Sequence, residues 1–302
     1  EDQTRAREDL EKRVDEQTRA REELEKLTAN AFAQQKEMEF YLGELKKKSL
    51  SEIPQPKTDD LEMARRNHAV IYPKPIVSYA QNGEDILLNR AFLGKINGFY
   101  IDVGAALPDD HSVTKSFYDR GWTGINIEPN PNFYELLISQ RSNDVNLNMG
   151  ISKEIENLVF YKVKADYHAG GGLSSFQKPT SNVALKAGFD EITIPVLTLD
   201  ELYKSHCPNR EIDFLKVDVE GFEKEVLESA DWTTFRPKVV VVESILPMTS
   251  ITSFSEWEPI LLNAGYHYAA TDGLNNYYVR NDEKLIYFQL STPLNLFDKN
   301  EI

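Results

Sequence analysis

Between residues 98 and 263, apolar strand-like runs alternate strictly with helical patterns, and this alternation constrains the fold more than any other feature of the chain. The runs are GFYIDVG (98–104), TGINIEP (123–129), VNLNMGI (145–151), IDFLKVDVEG (212–221) and KVVVVES (238–244). Helical patterns at 112–120, 131–141, 198–204, 222–230 and 255–263 separate or follow them. Short β-branched runs read as buried strands, and strand–helix alternation predicts a mostly parallel sheet covered on both faces. The stretch from about 152 to 197 is long for one crossover, and it carries its own strand candidates at 157–163 and 192–197 around the glycine-rich AGGGLSSF (169–176). After the fifth run, AGYHYAATDGLNNYYV (264–279) predicts a closing hairpin.

The first 48 residues follow a different rule. QTRAREDLEK (3–12) recurs as QTRAREELEK (17–26), a spacing of two heptads. One seam position then holds Leu10, Leu24, Ala31, Met38 and Leu45, and the other Ala6, Ala20, Leu27 and Tyr41, which predicts an α-helical coiled coil over 1–48 and a homo-oligomer formed through it. Gln3, Arg13, Gln17 and Gln34 also fall on the seam and weaken it, so a single solvated helix is the competing reading. Pro54, Pro56, Pro73 and Pro75 mark a linker over 49–76, leaving 77–302 as the globular domain. The chain opens at Glu1 without a Met and inside a helical pattern, so a longer natural chain is expected.

Charge narrows the partners. There are 49 acidic and 34 basic residues, a net charge of −15, of which residues 1–48 carry only −2. An acidic globular part repels phosphates, so no nucleic-acid partner is expected. The single Cys207 excludes an internal disulfide, and no apolar run approaches the roughly 18 residues of a membrane span, which points to a cytoplasmic protein with at most peripheral association at the inner face of a membrane.

In an open α/β sheet, ligands bind beyond the carboxyl ends of the strands. The first strand ends at Asp102 and Gly104, the second at Glu128, and the fourth at Asp218 and Glu220. Glu128 follows Gly104 by 24 residues, near the spacing at which an acidic residue meets ribose hydroxyls. No further glycines follow Gly104 to cradle a pyrophosphate, so a cationic nucleoside without phosphate, S-adenosylmethionine, fits better than a dinucleotide. A short-chain dehydrogenase is disfavoured, because none of the 14 tyrosines has Lys four residues on. Taken one at a time, each carboxylate reads equally well as a helix cap.

These residues, with VSYAQNGEDILLNRAF, FYIDVGAALPDDHSVTKSFYDRGWTGINIEPNPNFYELL, TLDEL, IDFLKVDVEGFEKEVLESADW and RPKVVVVES, resemble the FkbM-type S-adenosylmethionine-dependent methyltransferases over about 77–298. TDGLNNYYV and TPLNLFD resemble the subgroup associated with polysaccharide biosynthesis. ALPDDHS departs from the shorter Asn-x-Gly loop of many members. The resemblance implies an α/β Rossmann-like class I methyltransferase fold, with a mostly parallel seven-stranded sheet, helices on both faces and a hairpin-closed edge. By the same resemblance Asp102 and Gly104 flank the methionine part of the cofactor, and Glu128 holds the ribose. Asn130 and the Gly150–Ser152 turn neighbour the adenine, and Gln81 and Glu84 fold over the cofactor, although Asn82 and Asp85 read equally well as a cap.

Methyl transfer from a sulfonium is an in-line displacement, so alignment and exclusion of water matter most. If the acceptor is a sugar hydroxyl, His111 and Asp218 are the candidate bases, with Glu220 orienting either; His111 and His168 also read as ordinary loop histidines. A divalent ion held by Asp218, Glu220 and Glu243 as hard oxygen ligands would acidify the hydroxyl directly, but no His-rich or Cys-rich spacing supports one, and no metal is expected. GGGLSSF reads as a substrate gate or a plain insertion. The expected activity is O-methylation of a glycan or polysaccharide, capping chains with the coiled coil as spacer. Methylation of a small-molecule natural product and a non-catalytic cofactor-binding or assembly module are the alternatives.

Overall fold

The computed structural model describes residues 76–92, 95–294, 298 and 300–301; the expected coiled coil and all of the linker except Ile76 lie outside them. In chain order the strands are β1 (Ile76–Val77), β2 (Phe99–Val103), β3 (Thr123–Ile127), β4 (Val145–Leu147), β5 (Gly150–Ile151), β6 (Glu156–Val163), β7 (Phe189–Leu197), β8 (Phe214–Val217), β9 (Val239–Glu243), β10 (Tyr266–Thr271), β11 (Asn275–Arg280) and β12 (Asn300–Glu301). The helices are α1 (Glu84–Ala91), α2 (Lys115–Tyr118), α3 (Pro131–Gln140), α4 (Asn182–Ala187), α5 (Leu199–His206), α6 (Glu223–Glu228), α7 (Glu258–Asn263) and α8 (Lys284–Leu290).

A seven-stranded sheet in the order β10-β11-β9-β8-β2-β3-β4 forms the centre. Neighbours from β9 to β4 run parallel, and β11 pairs antiparallel with both β9 and β10, so the sheet is mostly parallel and closes on the expected hairpin. Successive strand residues face opposite sides. Ile101, Val103, Leu215, Val217 and Val240 pack on one face with Leu202 of α5, Val226 of α6 and Leu261 of α7. Tyr100, Phe214, Val239, Val241 and Tyr277 pack on the other with Leu88 of α1, Phe117 of α2 and Leu290 of α8. Burial on both faces explains the uninterrupted apolar runs.

Two expectations are corrected. The third run does not continue to 151: β3–β4 pairing ends at Ile127 with Leu147, and the Asn148 side chain turns inward to donate to the Glu128 and Pro129 carbonyls (2.9 and 3.0 Å). The chain pivots there, and Gly150–Ile151 joins a separate three-stranded sheet, β5-β7-β6, built by the 152–197 insertion. The helix expected from 112 starts only at Lys115, because the Ser112 and Thr114 hydroxyls are held by Arg141 and Thr114 also donates to Asp102.

Candidate functional site

A cavity of about 350 Å³ opens at the carboxyl ends of β2, β3, β8 and β9. Its walls come from the strand ends, from Gln81 and Glu84 before and at the start of α1, and from Tyr167–Phe176 of the insertion. Five non-glycine residues among those described have a left-handed backbone, and four of them, Ala106 (φ 51°), His111 (53°), Glu220 (55°) and Met248 (56°), line this cavity. Such conformations cost about 1–3 kcal/mol each and persist where the surroundings enforce them, so their concentration here marks a built site.

Glu128, just past β3, is 4% exposed and held on both oxygens: Ala106 N–H donates to Oε2 and Asn130 N–H to Oε1, each at 2.7 Å. Burial pushes its carboxyl up to about 7 despite those two bonds. Gly104, past β2, has φ +80°, and a Cβ there would stand 1.9 Å from the Asp218 carbonyl oxygen, so only glycine lets these two strand ends meet on the wall. The buried Lys216 of β8 ties them together, donating to the Gly104 carbonyl (2.8 Å) and lying 3.3 Å from Asp102 and 3.5 Å from Asp218. Burial works to lower the Lys216 ammonium, but the two aspartates outweigh it and hold it above its ordinary range.

The ends of β8 and β9 bring Asp218, Glu220 and Glu243 to the cavity wall. Glu223 stands behind them, accepting from Val219 and Gly221 N–H (3.2 and 3.0 Å). Burial first, and then mutual repulsion with Asp218 in the lead, raises Glu220 and Glu243 well above the carboxylate range. Burial likewise raises Glu223 and Glu84 to about 7. Among the described residues no group of three His, Cys, Asp or Glu side chains has the geometry to hold a metal ion.

At the mouth, His111, Tyr167 and His168 stack edge-on, with ring centroids 5.1–5.6 Å apart, and His168 Nε2 lies 2.6 Å from an Asp110 carboxylate oxygen. The loop carrying His111 is pinned from beneath by fully buried Arg141, which donates to the Pro108 carbonyl at 2.9 Å.

The structure thus brings Gln81, Glu84, Gly104, His111, Glu128, Asp218 and Glu220 to one cavity. Asp102, Asn130 and Ser152 are not on its wall. Asp102 is the penultimate residue of β2 and turns to Thr114 (3.0 Å) and Lys216. Asn130 caps α3, accepting from Asn132 N–H at 3.1 Å. Ser152 lies one residue beyond the lining Gly150 and Ile151, its N–H bonded to the Leu197 carbonyl. Sequence reasoning gave no binding role to Lys216, Tyr167 or Phe133. Only Lys216 left a signal there, as one charge inside the apolar strand FLKV.

A family model described as the methyltransferase FkbM domain matches residues 102–268, more than half of the chain. No curated protein sequence matches the chain. Among solved structures it is similar to a TehB-like SAM-dependent methyltransferase from Corynebacterium glutamicum at 8% identity, covering 74% of this chain and 97% of that one, with a TM-score of 0.35. It is also similar to an O-methyltransferase from Bacillus cereus in complex with SAH at 14% identity, covering 76% of this chain and 95% of that one, with a TM-score of 0.29.

Proposed function

The chain belongs to the methyltransferase FkbM family and is an S-adenosylmethionine-dependent methyltransferase, and from that premise we propose that it methylates a hydroxyl oxygen of a sugar in a glycan or polysaccharide. The observation that carries the reading is the acidic cavity, in which Glu128 presents a fixed carboxylate and Asp218, Glu220 and Glu243 line the same wall, a setting that favours a cationic ligand and a hydroxyl acceptor over a phosphate.

The residues present fit the cofactor. Glu128 spends one lone-pair direction of each oxygen on a backbone N–H, and the remaining directions suit the two hydroxyls of a ribose. Gly104, Ala105 and Ala106 line the cavity with small side chains or none, which suits the amino-acid part, and Gln81 and Glu84 line the same cavity. When bound, the cofactor supplies an electrophilic methyl group on a cationic sulfur. The chain's own work is to orient, to exclude water and to remove a proton. Residues of the Tyr167–Phe176 segment form part of the cavity wall, and Asp218 or His111, both on the wall, takes the hydroxyl proton as the oxygen attacks. Glu220 orients the base.

In this reading residues 1–48 form an oligomeric coiled-coil spacer that sets the length at which a growing glycan is capped, and the protein works in the cytoplasm at the inner face of the membrane. The described residues contain no helix long and apolar enough to cross a membrane. Incubating sugar polymers with isotope-labelled S-adenosylmethionine, followed by mass spectrometry, tests the acceptor. Label in a sugar O-methyl group supports the reading, and label on a nitrogen or on no sugar overturns it. Deleting whole helical turns from 1–48 is expected to shorten capped chains, and an unchanged length distribution removes the spacer role.

A further inference from the structure

Four aromatic rings meet at the cavity mouth from three separate parts of the chain. Tyr167 of the insertion is edge-on to Phe133 in the first turn of α3, to His111 after β2 and to its neighbour His168, with ring centroids 5.8, 5.6 and 5.2 Å away. All four line the cavity, and none is fully buried: Phe133 and Tyr167 are half-buried, and the His111 and His168 side chains keep 32% and 60% of their surface exposed. A cluster that served only to pack the insertion down would bury its rings, whereas this one leaves aromatic surface open to a ligand. The rings are also held in place. His111 keeps a left-handed backbone (φ 53°), which costs about 1–3 kcal/mol, on the loop that Arg141 pins. Tyr167 lies against Gly172, where a Cβ would stand 2.9 Å from the ring, so part of the glycine run is the seat of this tyrosine. Asp110 stands exposed at the edge of the cluster, with Oδ2 2.6 Å from His168 Nε2 and Oδ1 3.9 Å from His111 Nε2.

We propose that Phe133, Tyr167, His111 and His168 form the acceptor subsite, a platform for the C–H face of an uncharged pyranose ring whose rim hydroxyls donate to Asp110. This deepens the reading of the cavity as a sugar methyltransferase site and rests on it. A pyranose is amphipathic in the way the cluster is: its face offers aliphatic C–H groups to aromatic carbon, and its edge offers hydroxyl donors that a carboxylate accepts. Pockets of this kind take affinity from the rings and orientation from the few polar groups beside them. Charge sets the class of sugar. A uronate or a sugar phosphate would bring an anion beside Asp110 and into a cavity lined by Glu84, Glu128, Asp218, Glu220 and Glu243, whereas a neutral hexose meets no such repulsion. The work then divides between two parts of the wall. The strand ends hold the methyl donor, and the insertion with its two flanking segments selects the acceptor. His111 is both a ring of the platform and a base within reach of the sugar it holds.

The test is saturation-transfer NMR on the full chain loaded with S-adenosylhomocysteine, with the methyl glycosides of glucose, mannose, galactose and glucuronic acid as probes. Calorimetry of S-adenosylhomocysteine runs alongside. At least one neutral glycoside is expected to take up saturation on the C–H protons of one ring face, and the glucuronoside none. Tyr167→Leu keeps apolar volume and loses the ring, so it should lower that signal roughly fivefold, while Tyr167→Phe should keep it. Both variants should bind S-adenosylhomocysteine within about twofold of the unaltered chain. The proposal is overturned if no neutral glycoside is saturated, if the glucuronoside is saturated equally, or if Tyr167→Leu leaves the signal unchanged. A loss of about tenfold in S-adenosylhomocysteine affinity in Tyr167→Leu would assign the rings to the adenine and overturn it too. If Tyr167→Leu does not fold, Phe133→Leu decides in its place. Failure of S-adenosylhomocysteine to bind the unaltered chain would remove the reading of the cavity itself, and the proposal with it.

Discussion

Arg141 and Glu243 are both buried charged side chains, and they are supported in opposite ways. Behind β2, Arg141 donates to Asp144, Tyr100, Thr114 and the Pro108 carbonyl, while Asp144 also accepts from Tyr100 O–H and Gly124 N–H. Every main charge there has its counterpart supplied by the chain. In the cavity, Glu243 Oε2 has none, Glu220 faces other carboxyls, and Glu128 is held by neutral amides alone. Burial is common to both regions, so burial does not mark the site. What sets the cavity apart is the sign of its charges, since Glu84, Glu128, Asp218, Glu220 and Glu243 line it with Lys216 as their one lysine, a balance that a cationic ligand makes good.

Removing Arg141 is the strongest way to break this comparison. Arg141→Met leaves Asp144 ionised and buried, and the loss of one member of a buried pair costs about 3–5 kcal/mol. Denaturant unfolding should show that loss, and a change under 1 kcal/mol would mean that the network behind β2 is no more structural than the cavity. Glu128→Gln should do the reverse. It removes a carboxylate from a charge-assisted bond to ligand hydroxyls, worth about 1.5–3 kcal/mol, so S-adenosylmethionine should bind roughly 10- to 100-fold more weakly by calorimetry, with stability at pH 8 unchanged or improved. Weakened folding with unweakened binding would transfer Glu128 to the structural set.

The under-partnered carboxyls also fix a pH dependence. Burial raises Glu84, Glu128 and Glu223 to about 7. A carboxyl raised in the folded state contributes stability that is complete below its unfolded value and is lost as pH rises through its folded value. The ligand-free protein should therefore melt higher at pH 6 than at pH 8, by about 3 °C or more if the loss exceeds 1 kcal/mol. Glu128→Gln should flatten part of that slope. A melting temperature that climbs from pH 6 to pH 8 would show that these groups are compensated after all.

The alternation of runs was enough to read a mostly parallel sheet covered on both faces, because buried parallel strands carry their signal in every residue, while the number of strands, seven, came from the family resemblance. The strand ends were also legible: Gly104, Glu128, Asp218 and Glu220 all reach the cavity. What the sequence did not separate was a carboxylate facing the cavity from one facing a lysine. Asp102 sits two residues before Gly104, still inside the strand, where it is buried against Lys216 of the neighbouring strand. That partner lies 114 positions along the chain, so no local pattern announces it. The break at Asn148 is hidden for the same reason, since the carbonyls that draw it inward belong to Glu128 and Pro129.

The smallest expected effect separates a cap from a ligand. Asn130 lies two residues after Glu128, and its side chain accepts from Asn132 N–H at the start of α3 while its own N–H holds Glu128. Asn130→Ala keeps that backbone donor and deletes only the cap, so it should cost about 1 kcal/mol of stability and leave S-adenosylmethionine affinity within about twofold. The two residues then divide cleanly: the backbone of 130 serves the site by fixing a carboxylate, and its side chain serves the helix. A tenfold loss of affinity with an unchanged melting temperature would reverse that division and put the Asn130 amide against the adenine.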